Sequence, residues 1–345
     1  MIYRDKLEAY PTRRKRKDPL AATAHSSIVG RLAPSPTGAQ HVGNARTYLL
    51  AWLSIRSRGG RLILRMEDLD SPRVKAGADR QAYEDLRWLG LNWDEGPDVG
   101  GPHAPYVQTA RLDLYRDAFE KLKAAERVYP CTCSRSDVAA AASAPHASHE
   151  GPVYPKTCAT RCVADAAHLS GQPFAWRFRM SEEKIVLRDA IAGSQSCQVA
   201  KELGDFVIAK SDGTPGYQLA VVVDDHAMGV DEVLRGDDLL PSAFRQEEIY
   251  RFSGWQAPRW VHVPLVVGPD GRRLAKRHGD TRLATLRDEG VAPERLVGLL
   301  AWSSGLLAEP RPIRASDLLG DFDLAKLPRQ PFVFSEEQLS WLRVG

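Results

Sequence analysis

One stretch limits the possible folds of this chain more than any other: "GRLAPSPTGAQHVGNAR", Gly30 to Arg46. It begins inside an apolar, strand-like run from Ile28 to Ala33, passes through "PSPTG", whose prolines and glycine mark a turn, and then opens a helical pattern. Ala45, Leu49, Leu50, Trp52 and Leu53 recur at helical spacing between Val42 and Arg58, and Gly59 with Gly60 stops that helix. "RLILR", from Arg61, follows as a second strand. Strand, helix and strand in this order predict a right-handed crossover, a parallel sheet and an α/β fold.

Where a strand leads into a helix, backbone N–H groups without helical partners point outward and the helix dipole favours anions, so the junction suits a phosphate. Gly38 and Gly43 let a nucleotide approach the backbone closely, and His41 can donate a hydrogen bond to phosphate oxygens. Neither G-x-G-x-x-G nor a Walker lysine accompanies them, and a histidine near a helix start also serves as a purely structural residue. Far downstream, "GPDGRRLAKRHGD" (Gly268 to Asp280) places Arg272, Arg273, Lys276 and Arg277 in a loop flanked by turn-forming residues. Such a loop is either simply solvated or carries a mobile lysine that follows the charge developing on triphosphate oxygens as pyrophosphate leaves.

The 345 residues suffice for one large or two modest domains with a sizeable core. No apolar run approaches the roughly 18 residues of a membrane-spanning helix, and no apolar segment follows the basic "RRKRK" near the N-terminus, so a cytoplasmic protein without membrane contact is expected. Residues 1–27 hold seven of the 47 Lys and Arg and three of the 44 acids, which leaves the body nearly neutral at 40 against 41. A nucleic acid would therefore have to meet a local basic face. The tail itself, charged and poor in apolar residues, reads as disordered: an inert extension, the product of an upstream start site, or a phosphate-seeking arm.

Helical patterns follow at about 76–89 and 111–126, and 127–175 turns irregular, with an alanine-rich loop. "DFVIAKSDGTPGYQLAVVVDD" reads as two strands joined by a glycine turn, "HVPLVVG" as a later strand, and the remainder as helical; no internal repeat is seen. The five cysteines are odd in number. Cys131 and Cys133 stand one residue apart, Cys158 and Cys162 follow after a loop, and two thiol pairs so spaced predict a structural zinc site better than disulfides. Spacing alone selects all four; Cys197 looks unrelated.

With both segments in view, "RLAPSPTGAQHVGNAR" resembles the HIGH signature of the class I aminoacyl-tRNA synthetases in its glutamyl version, and "RRLAKR" resembles their KMSKS loop. "GGRLILRMEDLD", "LRWLGLNWDEGP", "YQLAVVVDD" and "VLRGDDLL" match the glutamyl pattern in the same order, so the resemblance spans roughly residues 28–280. It implies a Rossmann-like parallel nucleotide-binding core, with halves at 28–110 and 205–265, interrupted by a zinc-bearing, RNA-contacting insert at 111–204 and followed by the loop and a small helical region at 266–345. The implied reaction joins ATP and L-glutamate, with Mg²⁺, into glutamyl-adenylate: the α-carboxylate attacks the α-phosphorus in line while cations stabilise the leaving pyrophosphate.

The resemblance assigns Thr37, Gly38, His41, Gly43, Asn44 and Lys276 to ATP, with His41 and Lys276 catalytic. The chain departs from the prototype at Asn44, where the second histidine of HIGH stands, and at Arg273 and Ala275, in place of lysine and serine; Lys276 is kept. A substrate with two carboxylates and one ammonium calls for two cations and an anion. By resemblance Arg31, Ser35, Glu67, Tyr217 and Arg235 contact glutamate, Glu67 and Tyr217 at the ammonium and the two arginines at the carboxylates. Outside the resemblance, Tyr217 reads as a strand core residue and Arg235 as a surface partner of Asp237 or Asp238.

Three departures narrow the resemblance to a short branch, the glutamyl-queuosine tRNA(Asp) synthetases. The branch uses C-x-C followed by Y-x-x-x-C, which maps zinc onto Cys131, Cys133, Tyr154 and Cys158, with Cys162 as the rival fourth ligand. Val221 stands where full-length glutamyl enzymes carry an asparagine four residues after the tyrosine. Only 69 residues follow Lys276, too few for both a stem-contacting region and an anticodon-binding domain, so the latter is expected to be absent. Such an enzyme activates glutamate without tRNA and esterifies it to queuosine at the wobble position of tRNA(Asp), reading a splayed single-stranded loop. It is expected to be a monomer. A compact enzyme charging a tRNA 3′ end, and an inactive paralogue that binds RNA or glutamate, are the alternatives.

Overall fold

A computed structural model describes residues 27–69, 74–141, 152–169, 171–272, 274 and 280–344. The basic extension, save Ser27, and Arg273, Ala275, Lys276 and Arg277 of the cationic loop lie outside the described residues.

The chain opens with β1 (Val29–Leu32), α1 (Val42–Arg56) and β2 (Arg61–Leu64), the crossover predicted from sequence. Then come α2 (Ala78–Trp88), α3 (Leu112–Ala124), β3 (Val128–Cys131), α4 (Arg135–Ala141), β4 (Ala175–Phe178), β5 (Lys184–Asp189), β6 (Gly193–Gln198), α5 (Val199–Glu202) and β7 (Phe206–Lys210). The chain continues through α6 (Tyr217–Ala227), β8 (Glu232–Gly236), α7 (Leu240–Ser253), β9 (Arg259–Val263) and β10 (Val266–Val267). It ends with α8 (Leu283–Asp288), α9 (Pro293–Ser303), β11 (Phe332–Val333) and α10 (Glu336–Arg343).

The central sheet runs β2-β1-β8-β9 with every pairing parallel. Its residues alternate between two cores: Leu32, Leu62, Leu64, Leu234, Val261 and Val263 face α1 and the C-terminal helices, while Val29, Ile63, Val233 and Trp260 face α3, α6 and α7. Both faces are covered, as a parallel sheet requires. Between β2 and β8 sits a second unit, an antiparallel sheet β3-β4-β7 with the β5–β6 hairpin beside it.

Two sequence expectations are corrected. "YQLAVVVDD" is the helix α6, not a strand: after β7 the chain turns and brings Pro215 back opposite Ala209, the Gly216 N–H donates to the Ile208 carbonyl (2.7 Å), and Leu219 to Asp225 are all buried. An apolar run of this length fits a buried helix as well as a buried strand, and valine propensity yields to packing. "HVPLVVG" is two strands, β9 and β10, interrupted at Pro264, which has no N–H for a ladder.

Candidate active site

A cavity of about 480 Å³ opens beyond the C-terminal ends of β1 and β8, where ligands bind in open parallel sheets. Its lining includes Arg31, Ser35, Thr37, Gly38, His41, Gly43, Asn44, Glu67, Tyr217 and Arg235, every expected ATP and glutamate residue except Lys276. The turn from Ala33 to Gln40 delivers one side of the wall, and the N-terminus of α6, beginning at Tyr217, delivers another.

His41 caps α1. Its Nδ1 accepts the Gly43 N–H (3.2 Å), and Asn44 Oδ1 accepts the His41 N–H (3.2 Å), a reciprocal capping box. With Nδ1 accepting, the neutral ring carries its proton on Nε2. The structural and the ligand-facing roles weighed for this histidine thus use different nitrogens. A Cβ on Gly43 would press on the imidazole at 3.1 Å, which accounts for glycine there.

The described ends of the cationic loop meet this turn. Leu274 lines the cavity; the Val42 N–H donates to the Thr281 carbonyl (3.0 Å) and the Leu283 N–H to the Gln40 carbonyl (2.9 Å). Gly268 N–H to Arg272 carbonyl (2.7 Å) closes the loop's other end. Two segments more than two hundred residues apart in sequence therefore border one crevice.

Arg31 donates Nη1 to the Leu234 carbonyl (3.2 Å), and Arg235 donates Nε to His262 Nε2 (3.0 Å) and Nη2 to the Leu239 carbonyl (3.3 Å). Both are buried, and Arg31 Nε and Arg235 Nη1 have no hydrogen-bond partner among the described residues. Two buried cations with donors to spare suit an anionic ligand. The hydrogen bonds of Arg235 thus run to His262 and the Leu239 carbonyl, not to the sequence's alternative partners Asp237 or Asp238. Glu67 accepts from Arg65 Nη2 (2.9 Å); burial raises its pKa while Arg65 and Arg31 pull it back. Tyr217 is 40% exposed at the cavity wall, and Ser35 lies exposed at the rim. Val221 is buried one helical turn beyond Tyr217.

Sequence reading missed the layer behind this wall. Arg65 Nη1 donates to Asp225 Oδ1 (2.7 Å), which also lies 3.7 Å from Arg31 Nε; Asp224 accepts from Arg111 Nε (2.6 Å), Tyr115 (2.8 Å) and Gln108 (2.9 Å). The available signal was a charged residue closing each of two apolar runs, "LILR" and "VVVDD".

In the insert, the sulfurs of Cys131, Cys133 and Cys158 lie within 4.8 Å of one another. Tyr154 Oη stands 3.3 Å from Cys131 Sγ and 3.8 Å from Cys133 Sγ, whereas Cys162 is exposed and outside the group. Arg177 donates Nε to Cys131 Sγ (3.1 Å), and its guanidinium lies 3.8 Å from the Tyr154 ring centroid. Three thiols converging in this way fit zinc. Cys197 is buried in the second core, apart from the cluster.

The family described as "tRNA synthetases class I (E and Q), catalytic domain" matches residues 27–341. The chain belongs to that family and is a ligase; class I synthetases use ATP and Mg²⁺. Within it, the chain groups with the glutamyl-Q tRNA(Asp) synthetases. It is 51% identical to that of Symbiobacterium thermophilum, over 92% of this chain and 99% of the relative, and 47% identical to that of Rhodopirellula baltica, over 90% and 98%. A glutamate–tRNA ligase of Desulforamulus reducens is 39% identical over 92% of this chain but 66% of the ligase. Among solved structures, a glutamate tRNA ligase from Elizabethkingia meningosepticum in complex with its amino acid superposes with a TM-score of 0.78 at 31% identity, over 92% of this chain and 68% of that one. No helix among the described residues is long and apolar enough to cross a membrane.

Proposed function

We propose that this enzyme activates glutamate with ATP in the absence of tRNA and transfers it to queuosine at the wobble position of tRNA(Asp). The observation that carries the reading is the single crevice lined by the His41 cap and by two buried arginines, of which Arg31 Nε and Arg235 Nη1 make no hydrogen bond among the described residues. Arg31 and Arg235 hold the carboxylates of glutamate, and Glu67 with Tyr217 receives the ammonium. Thr37, Gly38, Gly43, Asn44 and the Nε2–H of His41 take the nucleotide. The α-carboxylate then attacks the α-phosphorus, the bond to pyrophosphate breaks, and Lys276 follows the charge that leaves. No covalent enzyme intermediate is required. In the second step a hydroxyl of the cyclopentenediol attacks the activated carbonyl and AMP departs. Cys131, Cys133, Tyr154 and Cys158 hold a structural zinc in the insert, which meets the RNA. The domain limits inferred from sequence are part of this reading.

Glutamate-dependent ATP–pyrophosphate exchange without tRNA tests the first step. Lys276→Ala is expected to lower it by orders of magnitude with the far-UV spectrum unchanged; near-normal exchange would remove the loop lysine from the chemistry. Nuclease mapping of labelled glutamate on queuosine-containing tRNA(Asp) tests the second. Label in the anticodon fragment is expected, and label at the 3′ end would make the enzyme a compact glutamyl-tRNA synthetase.

A further inference from the structure

Arg235 is held by a chain of groups reaching into the inserted hairpin. Its Nε–H donates to His262 Nε2 (3.0 Å), and His262 Nδ1 lies 2.7 Å from Asp189 Oδ2. All three side chains are buried: Arg235 on β8, His262 on β9, Asp189 at the end of β5. Since Nε2 accepts, the imidazole carries its proton on Nδ1 and gives it to Asp189. Burial lowers the His262 pKa against the pull of Asp189, which keeps the ring neutral. Asp189 is itself fixed: Oδ1 accepts the N–H groups of Ile191 (2.9 Å) and Ala192 (2.8 Å), and the Ala190 N–H donates to the Trp260 carbonyl (3.0 Å). Trp260 flanks the guanidinium at 5.1 Å. With Nε on the imidazole and Nη2 on the Leu239 carbonyl, Nη1 is the one guanidinium nitrogen with no hydrogen-bond partner among the described residues, and Arg235 lines the cavity.

We propose that Asp189 and His262 are positioning residues for amino-acid recognition: one neutral imidazole pins the Nε edge of Arg235 and so aims Nη1 at a substrate carboxylate. The inference rests on the reading of Arg235 as a glutamate ligand. It makes the inserted hairpin part of the specificity apparatus of the core, since the carboxylate that sets the imidazole tautomer belongs to the insert.

Isosteres separate positioning from mere packing. An asparagine at 262 places its amide nitrogen where Nδ1 stands, keeping the bond to Asp189 but offering nothing to Arg235; a glutamine reaches the Nε2 position with an acceptor. In the exchange assay on the full chain, His262→Asn is expected to raise the KM for glutamate about tenfold or more, leave the KM for ATP within about twofold, and be largely rescued in His262→Gln. In Asp189→Asn the Ile191 and Ala192 N–H groups keep the amide oxygen, so the amide nitrogen faces Nδ1. The imidazole must then carry its proton on Nε2, against Arg235, and the glutamate KM is expected to rise as in His262→Asn. Equal effects of the asparagine and glutamine variants, or equal shifts in both substrates, would overturn the proposal. Nitrogen-15 spectra of histidine-labelled protein, with His262→Gln to assign the signal, should show the Nδ1–H tautomer, switched in Asp189→Asn. An Nε2–H tautomer in the unsubstituted protein would overturn the relay whatever its substrate. Absence of glutamate-dependent exchange in the unsubstituted protein, or an unchanged glutamate KM in Arg235→Ala, would instead refute the functional reading, with the tautomer still deciding the relay.

Discussion

Arg65 is fully buried yet keeps its charge, because burial, which works against it, is outweighed by Asp225, Asp224 and Glu67 around the guanidinium. Each of those carboxylates in turn depends on the arginine: Glu67 and Asp225 are themselves buried and accept from its two terminal nitrogens. Arg65→Met preserves much of the volume but takes from Glu67 and Asp225 the charged hydrogen bonds they accept from its terminal nitrogens, so a loss of about 3–5 kcal/mol is expected in denaturant unfolding. A stability within error of the unsubstituted protein would mean the cluster does not hold the wall. Glu67→Gln is a different perturbation. Its amide oxygen can still accept from Arg65, while the negative charge proposed to receive the substrate ammonium is gone. The glutamate KM in exchange is expected to rise roughly tenfold with the ATP KM nearly constant, whereas a parallel rise in both would place Glu67 outside the amino-acid pocket.

Elements are held to one another by contacts that leave no space for small changes, and Gly298 in α9 is the clearest case. A Cβ there would lie 2.7 Å from the carbonyl carbon of Arg311 and still closer to its oxygen, in a segment pinned to the helix by the Ile313 N–H bond to the Glu294 carbonyl (3.0 Å). Alanine is the better helix former by about 1 kcal/mol, yet the clash should dominate, and Gly298→Ala is expected to destabilise by about 1–3 kcal/mol and lower the melting temperature. A raised melting temperature would show that the segment yields. The same dependence on packing explains what was legible in the sequence. The β1–α1–β2 start could be read because its period changes from strand to helix within one local stretch, and the residues that line the cavity because each sits in a short motif. The α6 helix could not, since a run of valines buried on every side has no period to read. Nor could Arg65 with Asp225, or His262 with Asp189: their partners lie 160 and 73 residues away, and only the folded sheet brings them together.

At the scale of the whole molecule, three cores among the described residues divide the labour, and the cysteine cluster belongs to the smallest. Tyr129, Cys131, Val138, Tyr154 and Cys158 make up its buried part, whereas the β5–β6 hairpin and α6 pack into the second core with α3 and α7. Five residues bury too little apolar surface to order the surrounding loops unaided, so the proposed zinc supplies much of the local stability. Among the described residues, the cavity proposed to hold the amino acid takes none of its lining from this small core. Removing the metal with a chelator should therefore loosen the part of the insert built on β3 and its flanking loops, leaving Arg31, Glu67, Arg235 and the relay behind Arg235 in place. Two activities measured on one chelated preparation test this: tRNA-independent exchange is expected to stay within about twofold, while transfer to tRNA falls about tenfold or more. Cys158→Ser should reproduce the split with loss of bound zinc by atomic absorption, and Cys162→Ser should keep stoichiometric metal because its thiol lies exposed and outside the cluster. Equal loss of both activities on chelation would show instead that insert and pocket unfold as one unit, and the independence of the small core would have to be given up.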